Sequence, residues 1–255
     1  MMTEQLTVLI LTFNEGPNLE RTLARLAWAR EILIVDSFST DATLEIARRH
    51  PHVRVVQRKF DDFASQCNFA LQQIQSEWVL SLDADYVLPE ALGAEICQLT
   101  PPPVVAGYRA GFRYCIHGHP LRASLYPPRT VLYRRTSAQY QMDGHGHRVQ
   151  VDGKIVELKN PIDHDDRKPL DRWLAEQNRY ALAEAKHLCE TPAAQLNRAD
   201  RLRRRIVFAP LAVFLFTAFG KGLILDGRPG WYYIFQRTLA EILLSLRLIE
   251  QKLEK

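Results

Sequence analysis

The chain has 255 residues, with 33 lysines and arginines against 29 aspartates and glutamates, so its net charge is +4. Hydrophobic residues make up 47% and charged residues 24%, which are globular proportions and exclude wholesale disorder or a collagen-like chain. A charge this small gives little reason to expect nucleic-acid binding. The four cysteines form no C-x-x-C pair, which argues against a zinc ribbon or a thioredoxin-like site.

Strand-like and helix-like segments alternate over the first hundred residues. Short apolar runs typical of buried strands occupy residues 6–12, 31–35, 53–57 and 78–82. Apolar residues at helical spacing lie between or after them, at 17–30, 62–75 and 89–99, and a further helix opens at Thr40 or Asp41. This alternation predicts an α/β fold with a mostly parallel sheet that is covered by helices on both faces.

Polar side chains stand at the ends of three of these four strands. They are Asn14 and Glu15 after the first strand, Asp36 after the second, and Asp83 and Asp85 after the fourth. Parallel sheets of this class bind ligands beyond the carboxyl ends of their strands. We therefore expect these side chains to converge on one edge of the sheet and to form a binding site.

The D-x-D sequence of Asp83 and Asp85 predicts a cation site. Two carboxylates at a strand end can hold Mg²⁺ or Mn²⁺, which can bridge phosphate oxygens and neutralise a departing diphosphate. The structural alternative is an acidic turn that caps the next helix. Asp36 could accept the imide N–H of a uracil ring, while Thr12 could contact the nucleotide together with Asn14 and Glu15. Asp41 is expected to support that loop.

Three motifs carry a family resemblance. LTVLILTFNEGPNLERTL, ILIVDSFSTDAT and WVLSLDADYVLP resemble the nucleotide domain of inverting family 2 glycosyltransferases, which have the GT-A fold, and are most similar to lipopolysaccharide-core glucosyltransferase-like enzymes. The resemblance implies a nucleotide-diphospho-sugar donor, for which we expect UDP. It places Asp36 at the base, Asp83 near the ribose or sugar, and Asp85 on the metal. It also implies a GT-A domain over 1–168, with a nucleotide-binding half at 1–100 and an acceptor half at 101–168.

The chain departs from the family pattern where a catalytic base is expected. An inverting enzyme needs a base that takes the proton from the acceptor hydroxyl. The stretch from 142 to 149 occupies the expected place of a His-Glu pair, and its candidates are Asp143, His145 and His147. Two other positions also differ from the pattern: Ser37-Phe38 stands where Asp-Gly is common, and Tyr86 where relatives often carry Glu.

Residues 126–168 supply further candidates on the acceptor side. His164 resembles the ligand that completes the metal site in the family, and Arg129 could clamp the diphosphate or an anionic acceptor. Asp166 is expected to cap the helix that begins near Leu170.

The C-terminal region, 169–255, is predicted to be a helical appendage. Five arginines between 198 and 205 precede the apolar run Ile206–Phe219, which is shorter than the roughly 20 residues that a membrane-spanning helix needs. This pattern predicts a helix in the interface of the cytoplasmic leaflet, with a buried core helix or a dimer helix as alternatives. Because the N-terminus also has no secretory signal, we expect a cytoplasmic protein that is peripheral on the inner face of the cytoplasmic membrane. A homo-oligomer is left open.

These observations lead to one expected function and two alternatives. The expected function is metal-assisted transfer of a sugar, with inversion, from a UDP-sugar to a cell-envelope glycan or lipid-linked acceptor, as in lipopolysaccharide biosynthesis. The first alternative is a haloacid-dehalogenase-like phosphatase in which Asp83 is the nucleophile. The second is a non-catalytic protein with a GT-A fold that docks on the membrane.

Overall fold

The four apolar runs of the first hundred residues form neighbouring parallel strands. The structure is a computed structural model that describes residues 2–143 and 146–253. These strands are β1 (Leu6–Thr12), β2 (Ile32–Asp36), β3 (Val53–Gln57) and β4 (Trp78–Asp83). They lie in the order β4-β1-β2-β3, with every neighbouring pair parallel. The predicted parallel sheet is therefore present, and its strands end together at one edge.

Later strands extend this sheet and add two smaller ones. In chain order they are β5 (Tyr86–Val87), β6 (Val105–Ala110), β7 (Phe112–Ile116), β8 (His119–Pro120), β9 (Arg129–Arg134), β10 (Ala138–Asp143), β11 (Gly146–Val151), β12 (Lys154–Glu157) and β13 (Ile162–His164). The main sheet continues from β4 as β9, β6 and β12, with β9 antiparallel to both of its neighbours. Strands β10 and β11 form an antiparallel pair. Strand β13 pairs with β5 and β7, which brings residues 86–87 beside 163–164.

Helices α1 (Gly16–Ala24), α2 (Thr43–Arg48), α3 (Phe63–Gln72) and α4 (Glu90–Gln98) connect the first strands. Helix α1 has Pro17 in its first turn, where the missing N–H costs no hydrogen bond. Helix α3 is capped by Asp62, whose carboxylate accepts the backbone N–H of Ser65 at 2.8 Å.

The central strands are apolar on both faces. In β1, Val8 and Ile10 belong to one hydrophobic cluster, while Leu9 belongs to another that also includes residues of α3. Side chains alternate between the faces of a strand, so an uninterrupted apolar run means that helices or other layers cover both sides. This explains why these strands read as continuous apolar runs in the sequence.

The chain divides into two units. The first comprises Met1–Cys115 and Leu125–Arg167, and the second comprises Ile116–Ser124 and Lys168–Lys255. The second unit contains helices α5 (Leu170–Glu190), α6 (Arg198–Arg203), α7 (Phe208–Leu215) and α8 (Gly227–Leu253). A π-helical turn, Phe216–Gly220, directly continues α7, and a 3₁₀ turn, Leu223–Asp226, precedes α8.

Packing in the second unit joins α5 to α8. Ala181, Ala185 and Leu188 of α5 form an apolar cluster with Leu244 and Leu248 of α8. Within the described chain, no single helix has the length and apolar character needed to cross a bilayer. The pair Phe208–Gly220 and Leu223–Leu253 meets those criteria only when taken together, with a bend of 65° at the break.

Candidate functional site

The carboxyl ends of β4, β1 and β2 lie side by side in the first unit. The register pairs Thr12 with Asp36 across β1 and β2, and Leu11 with Asp83 across β1 and β4. The expected convergence of the strand ends is therefore present. The acidic side chains differ in exposure, however, because Asp36 is fully buried and Asp83 is only partly buried.

Asp36 uses both carboxylate oxygens within the protein. Oδ1 accepts the hydroxyls of Thr12 and Ser39, and Oδ2 accepts the backbone N–H of Ser39 and the Nε2–H of Gln57. The Asp36 carboxylate therefore holds the loop at Ser39 and has no exposed surface of its own. A direct contact between Asp36 and a uracil ring would need one of these donors to leave.

The loops after β1 and β2 are tied to each other by the residues expected to contact the nucleotide. The backbone N–H of Asn14 donates to the hydroxyl of Ser39 at 2.8 Å, and Asn14 Oδ1 accepts the backbone N–H of Thr40 at 2.8 Å. The backbone N–H of Glu15 donates to the hydroxyl of Thr43 at 2.7 Å. Asn14 is held at a φ of 54°, in the left-handed region that asparagine tolerates better than most residues.

Two further residues of these loops stand out. Asp41 accepts the backbone N–H groups of Gly16 and Thr43, which is the supporting role expected for it. Phe38 has a φ of 61° and an exposed ring, although it is not glycine. Strained backbone of this kind clusters at active sites and ligand-binding loops.

Asp85 and His164 form the closest acidic and imidazole pair of the site. Nε2 of His164 lies 3.2 Å from Oδ2 of Asp85, and 12% and 11% of these two side chains are exposed. Burial lowers the pKa of His164, but the charge and the hydrogen bond of Asp85 outweigh burial, so the pKa is raised. The pairing follows from the register of β13 with β5, which sets His164 opposite Tyr86, the residue after Asp85.

Three tyrosine rings enclose the imidazole of His164. Their centroids lie 4.5 Å (Tyr126), 4.7 Å (Tyr114) and 5.3 Å (Tyr86) from the centroid of the imidazole. The hydroxyls of Tyr86 and Tyr126 are hydrogen-bonded to each other. This enclosure fixes the orientation of the ring and keeps water from most of it.

Arg129, at the start of β9, lies over the outer side of this aromatic group. Its guanidinium carbon is 4.9 Å from the ring centroid of Tyr126. Burial lowers the pKa of Arg129, but nearby ionisable groups outweigh burial and raise it. In decreasing order of effect, these groups are Tyr86, Tyr126, Asp83 and Asp85. Arg129 is thus a positive charge within electrostatic reach of the D-x-D carboxylates, and a guanidinium can bind a diphosphate.

A salt-bridge network fixes the segment that follows His164. Arg21 of α1 donates to the Asp165 carboxylate at 2.8 Å and to the Asp165 carbonyl at 2.9 Å. Asp166 accepts the side-chain amide of Asn18 at 2.8 Å. The expectation that Asp166 caps the following helix is wrong, because α5 begins at Leu170 with Pro169 at its cap. The carboxylate of Asp166 is instead used to fix residues 165–167 to the start of α1.

The donor set of Asp85 and His164 fits a divalent cation that is bound together with phosphate. Nδ1 of His164 is buried and has no hydrogen-bond partner among residues 2–143 and 146–253. In the same described part of the chain, no three His, Cys, Asp or Glu side chains are grouped closely enough to hold a metal ion. A carboxylate plus an imidazole suits Mn²⁺, which takes its other ligands from water and substrate.

The three candidates for the catalytic base fall where the structure gives no side-chain description. His145 lies outside the described residues. Asp143 ends β10 and His147 belongs to β11, but their side chains are also outside the description. The identity of the base therefore stays a prediction.

Sequence reasoning missed Asn18, Arg21 and Tyr126. Asn18 and Arg21 occupy positions i+3 and i+6 from Glu15, one helical turn apart on the same face of α1, which is a detectable local signal. Tyr126 gave no such signal, because its partners come from β5, β7 and β13, which are distant in the sequence.

Comparison with known protein families agrees with this geometry. Residues 7–113 match the family model "Glycosyl transferase family 2". The chain is 25% identical over 241 residues to the lipopolysaccharide core biosynthesis glycosyltransferase LpsC of Rhizobium meliloti, covering 89% of this chain and 85% of that protein. It is 27% identical over 203 residues to an uncharacterized glycosyltransferase of Rickettsia bellii, covering 74% of this chain and 69% of that protein.

A solved structure shares the fold. The mannosyltransferase PcManGT from Pyrobaculum calidifontis, in complex with GDP-Man and Mn²⁺, aligns over 97% of this chain and 88% of its own length. The TM-score is 0.55 and the sequence identity 17%. This likeness confirms the expected GT-A architecture, a mixed α/β fold with a mostly parallel central sheet.

Proposed function

We propose that this chain is a family 2 glycosyltransferase that transfers a sugar from a nucleotide-diphospho-sugar, specifically a UDP-sugar, with inversion at the anomeric carbon. The match of residues 7–113 to that family model and the similarity to LpsC support the family assignment. The observation that carries this proposal is the Asp85–His164 pair, which lies next to Asp83 at the carboxyl edge of the sheet. Arg129, over the ring of Tyr126, is within electrostatic reach of these carboxylates. Carboxylates and an imidazole can bind a divalent cation, and a guanidinium can bind a diphosphate. The phosphatase alternative loses its basis, because Asp83 ends the fourth strand and not the first.

Each residue of the site has its own role in this proposal. Asp85 and His164 would hold a divalent cation, and such a cation would supply positive charge to the diphosphate leaving group. Arg129 contacts the same diphosphate from the side of Tyr126, and its pairing with that ring fixes its direction. Asp83 is assigned to the ribose or to the transferred sugar.

The nucleoside is held by the two loops after β1 and β2. Thr12 and Asp36 position Ser39, and Asn14 joins the loops, so the backbone and side chains at this edge are set before the donor arrives. Glu15, whose backbone N–H donates to Thr43 at the start of α2, has the same supporting role. Preorganisation of this kind lowers the entropy cost of binding. We keep uracil as the assigned base. A panel of nucleotides tests this assignment directly.

Inversion requires a base that takes the proton of the acceptor hydroxyl as the hydroxyl attacks the anomeric carbon and UDP leaves. We assign this role to the segment 143–147, through Asp143, His145 or His147. Single replacements of the three by alanine separate them: the base variant should lose transfer by at least about a hundredfold while donor binding is unchanged.

The acceptor class proposed here is a cell-envelope glycan or a lipid-linked glycan. Its support is the similarity over most of both chains to a protein named for lipopolysaccharide core biosynthesis. Such acceptors are membrane-bound, and we place the enzyme on the inner face of the cytoplasmic membrane as a peripheral protein.

Isothermal titration of the purified chain with UDP, with and without Mn²⁺, tests the proposed site. We expect binding that depends on Mn²⁺ and that is lost in Asp85→Asn, which removes the charge and keeps the shape. Asp152→Asn is the matched control, because Asp152 is exposed in the turn between β11 and β12. Equal UDP affinity with and without Mn²⁺, or in Asp85→Asn, would refute the cation site. Tighter binding of GDP or dTDP than of UDP would refute the base assignment alone.

A further inference from the structure

Helix α7 and the π-helical turn that continues it are packed with their small side chains inward. Ala209, Thr217 and Ala218 are buried in the second unit, and the hydroxyl of Thr217 donates back to the carbonyl of Val213 at 2.7 Å. Six large apolar side chains between 207 and 219 are 46–75% exposed, while Val213 and Phe214 are half-buried: the six are Val207, Phe208, Leu211, Leu215, Phe216 and Phe219. We call these six residues the exposed apolar face.

This arrangement is the reverse of an ordinary surface helix, which buries its large apolar residues and exposes polar ones. The segment is also fixed at its start, because Ile206 has a φ of 57° and its carbonyl accepts the hydroxyl of Ser245 on α8. Its orientation is therefore set by the fold of the second unit. A contiguous apolar surface of this kind on a folded protein marks an interaction site.

The charged residues within the segment that carries the exposed apolar face have a single sign. From Arg201 to Leu225 the sequence contains no acidic residue. Arg204 and Arg205 are exposed just before α7, and Lys221 follows the π-helical turn with its ammonium 5.5 Å from the ring centroid of Phe216. Basic residues at both ends of an aromatic, apolar segment complement an anionic lipid surface.

The same charges argue against a second copy of the chain as the occupant. Two copies that met through this face would bring together only basic residues, with no acidic partner from 201–225.

The segment is also too short to span a bilayer: α7 and the π-helical turn together are about 20 Å long at 1.5 Å per residue, against a hydrocarbon core of about 30 Å.

We propose that the exposed apolar face inserts into the interfacial layer of an anionic bilayer, with Arg204, Arg205 and Lys221 against the lipid headgroups. This inference deepens the proposed function, since it names the surface by which the transferase reaches a membrane-bound acceptor. Its test uses no transfer assay, so this inference and the proposed function can fail independently of each other.

The test is co-sedimentation of the full chain with vesicles of phosphatidylglycerol and phosphatidylcholine, and with vesicles of phosphatidylcholine alone. We expect binding to the anionic vesicles that weakens as salt is added. The double variant Leu211→Gln/Phe219→Gln should bind at least about tenfold more weakly, because two apolar side chains lose their insertion. Arg204→Gln/Arg205→Gln should weaken binding to the anionic vesicles by on the order of tenfold.

Leu182→Gln is the matched control, because Leu182 is an exposed leucine on α5 of the same unit. It should bind like the wild type. Circular dichroism and UDP titration verify that each variant is folded. The proposal is wrong if the wild-type protein binds neither vesicle type. It is also wrong if the Leu211→Gln/Phe219→Gln variant binds as tightly as the wild type. Sedimentation equilibrium showing a dimer that this double variant dissociates would also overturn it. Loss of UDP binding in the wild type would count only against the proposed function.

Discussion

Replacement of Asn18 is the sharpest test of how the site is held together. Asn18 is fully buried in the first turns of α1. Its Nδ2 donates to Glu15 Oε2 at 3.0 Å and to Asp166 Oδ1 at 2.8 Å. Its Oδ1 accepts the backbone N–H of Arg167 and the Nη2–H of Arg21, each at 2.9 Å. One amide side chain therefore uses its full hydrogen-bonding capacity to join α1 to the segment after His164.

The loss of stability expected on replacing Asn18 follows from these four hydrogen bonds. A hydrogen bond contributes about 0.5–1.5 kcal/mol net, and more when one partner is charged, as Glu15, Asp166 and Arg21 are. Water can replace part of the loss at the partly exposed partners. We therefore expect Asn18→Ala to lower the free energy of unfolding of the first unit by about 3 kcal/mol. Asn18→Asp keeps the size but places a carboxylate between two others, so it should destabilise at least as much.

Urea unfolding followed by circular dichroism measures this effect, with Glu20→Ala as the control. Glu20 is an exposed residue of the same helix and should change the free energy of unfolding by no more than about 0.5 kcal/mol. Because the chain has two units, the transition of the first unit must be followed separately, for instance by its loss of UDP binding. An Asn18→Ala protein within 1 kcal/mol of wild type (about the size of one hydrogen bond) would show that the network is not a stabilising one.

Three further outcomes are expected. Phe38→Gly should raise the free energy of unfolding by up to about 1 kcal/mol, because the left-handed backbone is strained for phenylalanine, and should weaken UDP binding through loss of an exposed ring at the sheet edge; urea unfolding and titration measure the two effects. Cys189, which is exposed, should react first with Ellman's reagent, whereas Cys67 should react only on unfolding, because burial raises the pKa of its thiol far above the usual range; a fast phase that survives Cys189→Ser would contradict this. Glu241→Gln should lower the free energy of unfolding of the second unit by about 3 kcal/mol in thermal unfolding, because Glu241 is the buried partner of Arg203.

The sheet could be predicted from the sequence because its signal is local. Residues 6–12 are apolar without interruption, and both faces of that strand are buried. The same reasoning placed the acidic residues at strand ends, since the end of an apolar run is visible in the sequence. The sequence could not show which groups each carboxylate would contact in the folded protein. Asp36 and Asp85 look alike as strand-end acids, yet one is saturated by neighbouring donors and the other faces an imidazole.

The contacts that shape the site were unpredictable for a different reason. Asn18 meets Asp166 across 148 residues, and Tyr86 meets Tyr126 across 40. No periodicity links such positions, because they depend on how β5, β7 and β13 pair. The C-terminal segment posed a third problem: residues 206–219 are nearly all apolar, so the sequence pattern could not indicate which side faces the protein.

The proposed cation site of Asp85 and His164 predicts that the cation and the donor bind together. Two protein ligands are too few for a tight site, so in this proposal the diphosphate of the donor would supply further oxygens. Each ligand then increases the affinity of the protein for the other by the same factor, since coupling between two binding sites is reciprocal. UDP should therefore lower the Kd for Mn²⁺ as much as Mn²⁺ lowers the Kd for UDP. A site that the protein completes by itself would show tight Mn²⁺ binding with no effect of UDP, and titrations in both orders distinguish the two cases.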